Sequence, residues 1–160
     1  NKQAKDIVFH IIGAGLSDFM ADMPPNVFYW GAELYVRLPN WLAGMDVGLN
    51  LYKPGKSYYN SPLKFFDYLS SGLTVISTEH PLAGKLLTEL GGGDLIIPHG
   101  NSVALGDILL RLASDMKRVK KLGIAGRKLV IDKYNWRQVV SNTMDEMEKL
   151  LRKKGRVLKA

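Results

Sequence analysis

A polar loop that leads into a helix start is the part of this chain whose residues best suit chemistry. Ser61 and Pro62 precede an apolar segment, and these residue types are favoured at the N-cap and at the first helical position. The pattern predicts a helix over residues 62–71 with Ser61 as its N-cap. Because the first amides of a helix lack intrahelical acceptors and lie at the positive end of its dipole, the backbone N–H groups of Leu63 and Lys64 are candidate diphosphate ligands.

The side chains of Lys64 and Asp67 extend this candidate site. The lysine supplies a point charge for phosphate. The aspartate, one turn further along, supplies a carboxylate that accepts hydrogen bonds from a ribose diol. The same residues also suit an ordinary amphipathic helix, in which Lys64 and Asp67 form an exposed ion pair worth roughly a few tenths of a kcal/mol. Their spacing alone leaves both interpretations open.

Five short runs of apolar residues predict β-strands, at residues 7–12, 27–30, 46–51, 73–78 and 94–97. Helical patterns fall between and after them, at residues 38–43, 62–71, 81–90, 102–113, 115–134 and 135–154. Nearly continuous apolar runs are typical of strands that are covered on both faces. The alternation therefore predicts an α/β fold, a Rossmann-like parallel sheet flanked by helices.

The composition is that of a globular protein, and it excludes several kinds of site. Of 160 residues, 46% are hydrophobic and 23% are charged, and none is cysteine. Disulfide scaffolds, thiolate nucleophiles and cysteine-ligated metal centres are therefore excluded, and a reducing, cytoplasmic location is expected. No apolar run approaches the ~20 residues that span a bilayer. The three histidines, His10, His80 and His99, lack metal-ligand spacing, so they predict no metal site.

The formal net charge of +7 is concentrated towards the C-terminal end. Residues 1–110 carry 7 Lys or Arg and 10 Asp or Glu, a net charge of −3, whereas residues 111–160 carry 15 and 5, a net charge of +10. This asymmetry indicates either a solvated helix face or an anionic partner. The partner that we expect is an acidic membrane surface. Nucleic acid is not expected, because the sequence has no recognition helix and no basic strand interleaved with aromatic residues.

Residues 58–78 resemble the nucleotide-sugar-binding motif of retaining GT-B glycosyltransferases, many of which carry an SP-K-FEY-A-G-PV variant. The resemblance implies that Asp67, usually a glutamate in that family, holds the nucleotide ribose, and that the amides at the helix start hold the diphosphate. Tyr59 stands where the family has its first acid, which touches the donor sugar or phosphate. Since tyrosine cannot act as a carboxylate, Asn60 and Ser61 are expected to take part of that contact.

A glycine turn near the start of the chain resembles the same family. Residues 9–15 are similar to its F-IIG-G strand and turn, which implies that Gly13 and Gly15 border the donor pocket. Gly13 and Gly15 would also suit a dinucleotide-binding turn. However, Asp18 stands where that motif has its third glycine.

The next strand and loop continue the resemblance. Residues 27–47 are similar to a V-F-G element followed by LP-YLA-ADVGL. In the family the loop after this strand lines the base pocket, which implies that role for Tyr29, Trp30 and Gly31. Further similar elements follow at residues 100–115 and 133–136.

The resemblance implies that the chain is the C-terminal, donor-binding half of a GT-B glycosyltransferase. Residues 1–134 then form a nucleotide-sugar-binding domain that lacks its first strand, and residues 135–160 form its closing helix and basic tail. The substrate would be a nucleotide sugar such as a UDP- or GDP-sugar, used with retention and without cofactor or structural metal. The acceptor-binding N-terminal domain and the catalytic contacts lie outside these residues, so the chain alone is expected to be inactive.

Two other functions remain open for the predicted fold. One is a non-catalytic nucleotide-binding or receiver-like module. Receivers need a phosphorylatable aspartate at a strand end, whereas Asp46 stands at a strand start. The other is the donor-binding subunit of a split transferase, whose acceptor-binding part is a separate chain. For the transferase we expect a peripheral position at the cytoplasmic face of a membrane.

Overall fold

The computed structural model describes residues 6–15, 22–53 and 62–153. Its strands are β1 Phe9–Ile11, β2 Val27–Tyr29, β3 Val47–Asn50, β4 Thr74–Thr78 and β5 Ile96–Ile97. Its helices are α1 Leu38–Leu42, α2 Leu63–Ser70, α3 Pro81–Glu89, α4 Ser102–Ser114, α5 Met116–Lys133 and α6 Trp136–Lys153. Short 3-10 turns cover Tyr35–Arg37 and Gly93–Leu95. The predicted α/β class is confirmed.

The described strands pair in parallel, as the sequence predicts, and form a two-stranded and a three-stranded sheet. β1 pairs with β2, which places His10 opposite Phe28. β4 lies between β3 and β5, with Ser77 opposite Ile96. Among the described residues no strand is hydrogen-bonded to both sheets. Helices flank the parallel strands, as in a Rossmann-like fold.

The helix that carries the candidate site, α2, begins one residue later than predicted. Pro62 occupies the N-cap position with φ −78° and ψ 75°, and its side chain makes no capping hydrogen bond. Its carbonyl oxygen accepts the first helical hydrogen bonds, from the N–H groups of Phe65 at 2.9 Å and Phe66 at 3.4 Å. Because these bonds start the helix at Leu63, the prediction of Ser61 as N-cap is wrong. Ser61 itself lies outside the described residues.

The fifth predicted strand, residues 94–97, is shorter in the structure. Gly93–Leu95 forms a 3-10 turn, closed by a 2.9 Å bond from its last N–H to the carbonyl oxygen of Gly92. Only the last two residues of the predicted run remain in β5. The Asp94 carboxylate accepts two hydrogen bonds from the Arg118 guanidinium, at 2.5 and 3.0 Å. An ion pair with α5 therefore holds the aspartate that the apolar pattern placed in the strand.

β4 is buried along its whole length and separates two apolar clusters. One cluster joins Val75 to side chains of α2, α3 and α5, among them Phe65 and Leu69. The other joins Ile76 to side chains of β5, α4 and α5. Because neighbouring strand residues point to opposite faces, the clusters lie on opposite faces of the three-stranded sheet. α2 therefore packs on one face through Phe65 and Leu69, and its exposed residues are Leu63 and Lys64 at its start.

α6 stands apart from this core. None of its 18 residues is buried. Apolar side chains follow one stripe at helical spacing: Trp136, Val139, Val140, Met144, Met147, Leu150 and Leu151. The remaining positions mix both signs of charge, as in a helix that lays one face on a partner. Among the described residues no helix, α6 included, is long and apolar enough to cross a bilayer.

Candidate functional site

The start of α2 presents two backbone amides that have no acceptor among the described residues. The N–H groups of Leu63 and Lys64 donate to no described residue, and the N-cap residue, Pro62, makes no capping hydrogen bond with its side chain. Both side chains are exposed. Lys64 forms no ion pair within residues 6–15, 22–53 and 62–153, so the i,i+3 pair with Asp67 does not form. Among the described residues, therefore, nothing competes with an anion for these two amides and the Lys64 ammonium group.

The Asp67 carboxylate is bound by a residue from a different part of the chain. The hydroxyl group of Tyr35 donates a hydrogen bond to Asp67 Oδ1 at 2.8 Å. The negative charge of this acceptor raises the pKa of Tyr35, chiefly through the hydrogen bond itself. The tyrosine therefore stays protonated and acts as the donor. No local pattern could reveal this contact, because the two residues lie 32 positions apart.

Glu33 holds the turn that carries Tyr35. Its Oε1 accepts from the Leu34 N–H at 2.8 Å, and its Oε2 accepts from Trp41 Nε1 at 3.2 Å. Arg37 lies 3.8 Å from the same carboxylate. These contacts, with the Leu34 bond as the largest cause, lower the pKa of Glu33. A charged carboxylate thus ties the turn to α1, which leads into β3.

The ends of β1 and β2 bring two of the predicted glycines together. The Gly13 N–H donates to the carbonyl oxygen of Gly31 at 2.8 Å. Gly15 and Gly31 have positive φ values of 93° and 74°, which only glycine adopts readily. The predicted turn is therefore present, and Gly31 precedes Tyr35 by four residues. The loop after β2 accordingly reaches α2 through the bond from Tyr35 to Asp67.

Trp30 belongs to an aromatic group on the β1–β2 pair. Its Nε1 donates to His10 Nδ1 at 3.0 Å, and its ring lies 6.4 Å from that of Phe28 and 4.9 Å from that of Trp41. His10 and Trp41 also line an open cleft of about 410 Å³. Neither Lys64 nor any other residue of α2 lines this cleft. Tyr29 is half-buried on the opposite side of β2, since strand neighbours alternate between faces.

The carboxyl ends of β3 and β4 hold a cluster of polar side chains, most of them buried. Asn50 Nδ2 donates to Ser77 Oγ at 2.9 Å, and both side chains are fully buried. The Tyr52 N–H donates to Thr78 Oγ1 at 3.0 Å. His80 caps α3 by accepting from the Ala83 N–H, and its ring stacks on Tyr52 at 5.6 Å. These contacts join the segments that follow β3 and β4 at the carboxyl edge of the sheet.

Three predicted donor contacts, Tyr59, Asn60 and Ser61, lie outside the described residues. Their roles stay predictions. The other predicted residues lie in the glycine turn, in the loop after β2 and on α2. Tyr35, which was not predicted, links that loop to α2. The structure does not record a contact between Asp67 and Gly13 or Gly15.

Comparison with known proteins agrees with this architecture. A family model described as glycosyl transferase-like matches residues 2–145, which run from before β1 into α6. No curated protein matches the chain. The match covers the whole candidate site and confirms the resemblance to glycosyltransferases that the motifs indicate. This chain is a member of the glycosyl transferase-like family.

Proposed function

We propose that the chain is the donor-binding part of a glycosyltransferase that takes a sugar from a nucleoside diphosphate and passes it on with retention. One observation carries this proposal. The start of α2 presents two amides and an ammonium group that have no partner among the described residues and, one turn further along, a carboxylate. Together they match the anionic and diol portions of a nucleotide sugar.

The diphosphate would bind at the first turn of α2. The Leu63 and Lys64 N–H groups donate to phosphate oxygens, and the helix dipole adds to their attraction. The Lys64 ammonium, which has no competing carboxylate among the described residues, neutralises part of the charge. No metal is required for this mode of binding.

The nucleoside would extend from α2 towards the loop after β2. Asp67 accepts hydrogen bonds from the ribose, and Tyr29, Trp30 and Gly31 border the base. The bond between Tyr35 and Asp67 supports this arrangement, because it ties that loop to the helix. The donor sugar would lie near Tyr59, Asn60 and Ser61.

The exposed apolar stripe of α6 supports the proposal that the chain works together with an acceptor-binding domain. Its apolar stripe is exposed over 18 residues, and burying such a stripe against another protein surface removes apolar area from water. The partner domain would belong either to the same polypeptide or to a separate subunit. Residues 1–160 alone would then bind the donor without transferring its sugar.

A receiver-like module is less well supported. Such a module needs its phosphorylatable aspartate at the carboxyl end of a strand. Asp46 directly precedes β3, at the amino end of that strand. The position of Asp46 therefore favours the transferase.

Calorimetric titration of the chain with UDP, GDP and ADP tests the proposal. We expect at least one of them to bind. Asp67→Ala should weaken the binding of that nucleotide about 10-fold or more, since a hydrogen bond to a charged group contributes roughly 1.5–3 kcal/mol. Asp107→Ala is the matched control, because Asp107 is exposed on α4 and makes no ion pair with a described residue. Equal affinity for Asp67→Ala and the parent would refute the site.

A further inference from the structure

The bond between Tyr35 and Asp67 leaves two acceptors side by side. A phenol oxygen carries one hydrogen and two lone pairs, and an ionised carboxylate carries acceptors only. The Tyr35 hydrogen goes to Asp67 Oδ1 at 2.8 Å. Within the described residues no donor reaches the Tyr35 oxygen or Asp67 Oδ2.

We propose that Tyr35 is a second ribose-binding residue, which accepts one hydroxyl of the diol while Asp67 Oδ2 accepts the other. This inference rests on the proposed function, because it concerns the same nucleotide site. It assigns to the site a residue from the turn before α1, outside the α2 motif. It also makes the site selective for an intact vicinal diol over a single hydroxyl.

Electrostatics support the two roles of Tyr35, as a donor to Asp67 and as an acceptor for the ligand. The carboxylate raises the pKa of Tyr35, so the phenol keeps its proton near neutral pH. A hydroxyl that donates to a charged acceptor is itself polarised into a better acceptor. The Tyr35 oxygen is therefore suited to receive a hydrogen bond from the ligand while its own hydrogen remains on Asp67.

Packing gives Tyr35 no other evident task. Its side chain is 72% exposed, so the ring contributes little apolar burial. Exposed polar pairs of this kind add little to stability. The turn beneath Tyr35 is nevertheless held by Glu33, through its bonds with the Leu34 N–H and the Trp41 ring N–H. A backbone held in place under an exposed, oriented hydroxyl suits a residue that binds a ligand.

The test compares a ribonucleoside diphosphate with its 2′-deoxy and 3′-deoxy analogues. The base is the one among UDP, GDP and ADP that the parent chain binds most tightly. For the parent we expect each missing hydroxyl to weaken binding about 3- to 10-fold. For Tyr35→Phe we expect the ribonucleotide to bind about 3- to 10-fold more weakly than it binds the parent. One of the two deoxy analogues should then bind the variant as tightly as the ribonucleotide does, so that its penalty is lost.

Tyr134→Phe is the matched control. Tyr134 packs on Phe66 at 5.4 Å, and its ring remains after the change. It should bind all three ligands as the parent does. A merely structural effect of Tyr35→Phe would weaken all three ligands equally and would leave both penalties in place.

The outcomes separate this inference from the proposed function. If Asp67→Ala loses affinity and Tyr35→Phe keeps both deoxy penalties, the role of Tyr35 is refuted and the nucleotide site stands. If the parent binds none of the three nucleotides, both are refuted. Loss of a single penalty in Tyr35→Phe, with the control unchanged, supports both.

Discussion

Gly123 of α5 lies directly against the carbonyl group of Gly72, in the turn that joins α2 to β4. A β-carbon at position 123 would overlap the Gly72 oxygen. Three residues further along α5, a β-carbon at Gly126 would lie 2.6 Å from a methyl group of Leu69. The close approach of α5 thus fixes the carboxyl end of the helix whose amino end forms the candidate site.

Gly123→Ala should destabilise the fold by about 1–3 kcal/mol, because the added methyl group must displace backbone atoms. Gly106→Ala is the matched control, since a β-carbon there meets nothing within 4 Å in the middle of α4. It should instead stabilise by roughly 0.5–1 kcal/mol through helix propensity. Urea unfolding measures both. Equal midpoints for the two variants would contradict the packing argument.

Asp94→Asn should destabilise the fold in a pH-dependent way. The hydrogen bond from Arg118 is the main cause that lowers the pKa of Asp94 from its usual 3.8. A carboxyl group whose pKa is lowered by folding stabilises the fold above that usual value. The stabilisation is lost as the pH falls through the folded-state pKa.

Because the pair is partly exposed, we expect a loss of about 0.2–1 kcal/mol at neutral pH. The difference from the parent should shrink as the pH falls below the usual aspartate value and vanish once Asp94 is protonated in the folded protein. Urea unfolding at neutral pH and at an acidic pH below that usual value measures it, and Asp107→Asn serves as the control. A difference that is the same at both values would show that the ion pair is not its source.

Lys64→Gln should weaken nucleotide diphosphate binding about 3- to 10-fold at low salt, because it removes the ammonium group beside the α2 amides. The effect should shrink as salt screens the charge. Lys85→Gln on α3 is the matched control, as Lys85 is also exposed and forms no ion pair with a described residue. Calorimetry at two salt concentrations measures both variants. If the two lysines behave alike, the charge at position 64 is not part of the site.

The expected acidic membrane partner leads to a further prediction. Lys117, Lys120 and Lys121 are exposed on α5 and pair with no described acid, whereas Arg118 is held by Asp94. Vesicles that contain acidic lipid should therefore bind the chain, at about 1 kcal/mol per well-placed cation.

Co-sedimentation with acidic and with neutral vesicles measures this binding. Changing the three lysines to glutamine should reduce it, and so should added salt. A pair of changes in the α6 stripe, Met144→Ser and Met147→Ser, tests whether apolar insertion contributes. Binding to both vesicle types alike, or to neither, would remove the membrane partner.

Much of the secondary structure follows from local sequence. The six helices lie within one or two residues of their predicted bounds, because apolar periodicity, prolines and glycines act over a few neighbouring positions. The start of α2 shows the limit. Serine and proline both suit a helix start, and only the bonds accepted by the Pro62 carbonyl decide which residue is the N-cap.

In the candidate site, too, some features follow from local sequence and others only from the tertiary structure. Sequence alone determined that Leu63, Lys64 and Asp67 share the first turns of a helix, because helical spacing fixes their relation. Only the tertiary structure decided that Asp67 bonds to Tyr35 and that Lys64 forms no ion pair with a described residue. It also decided that Asp94 lies outside β5 in an ion pair with Arg118, and that the described strands form two sheets. Those contacts join residues far apart in the chain, and they depend on how whole elements pack against one another.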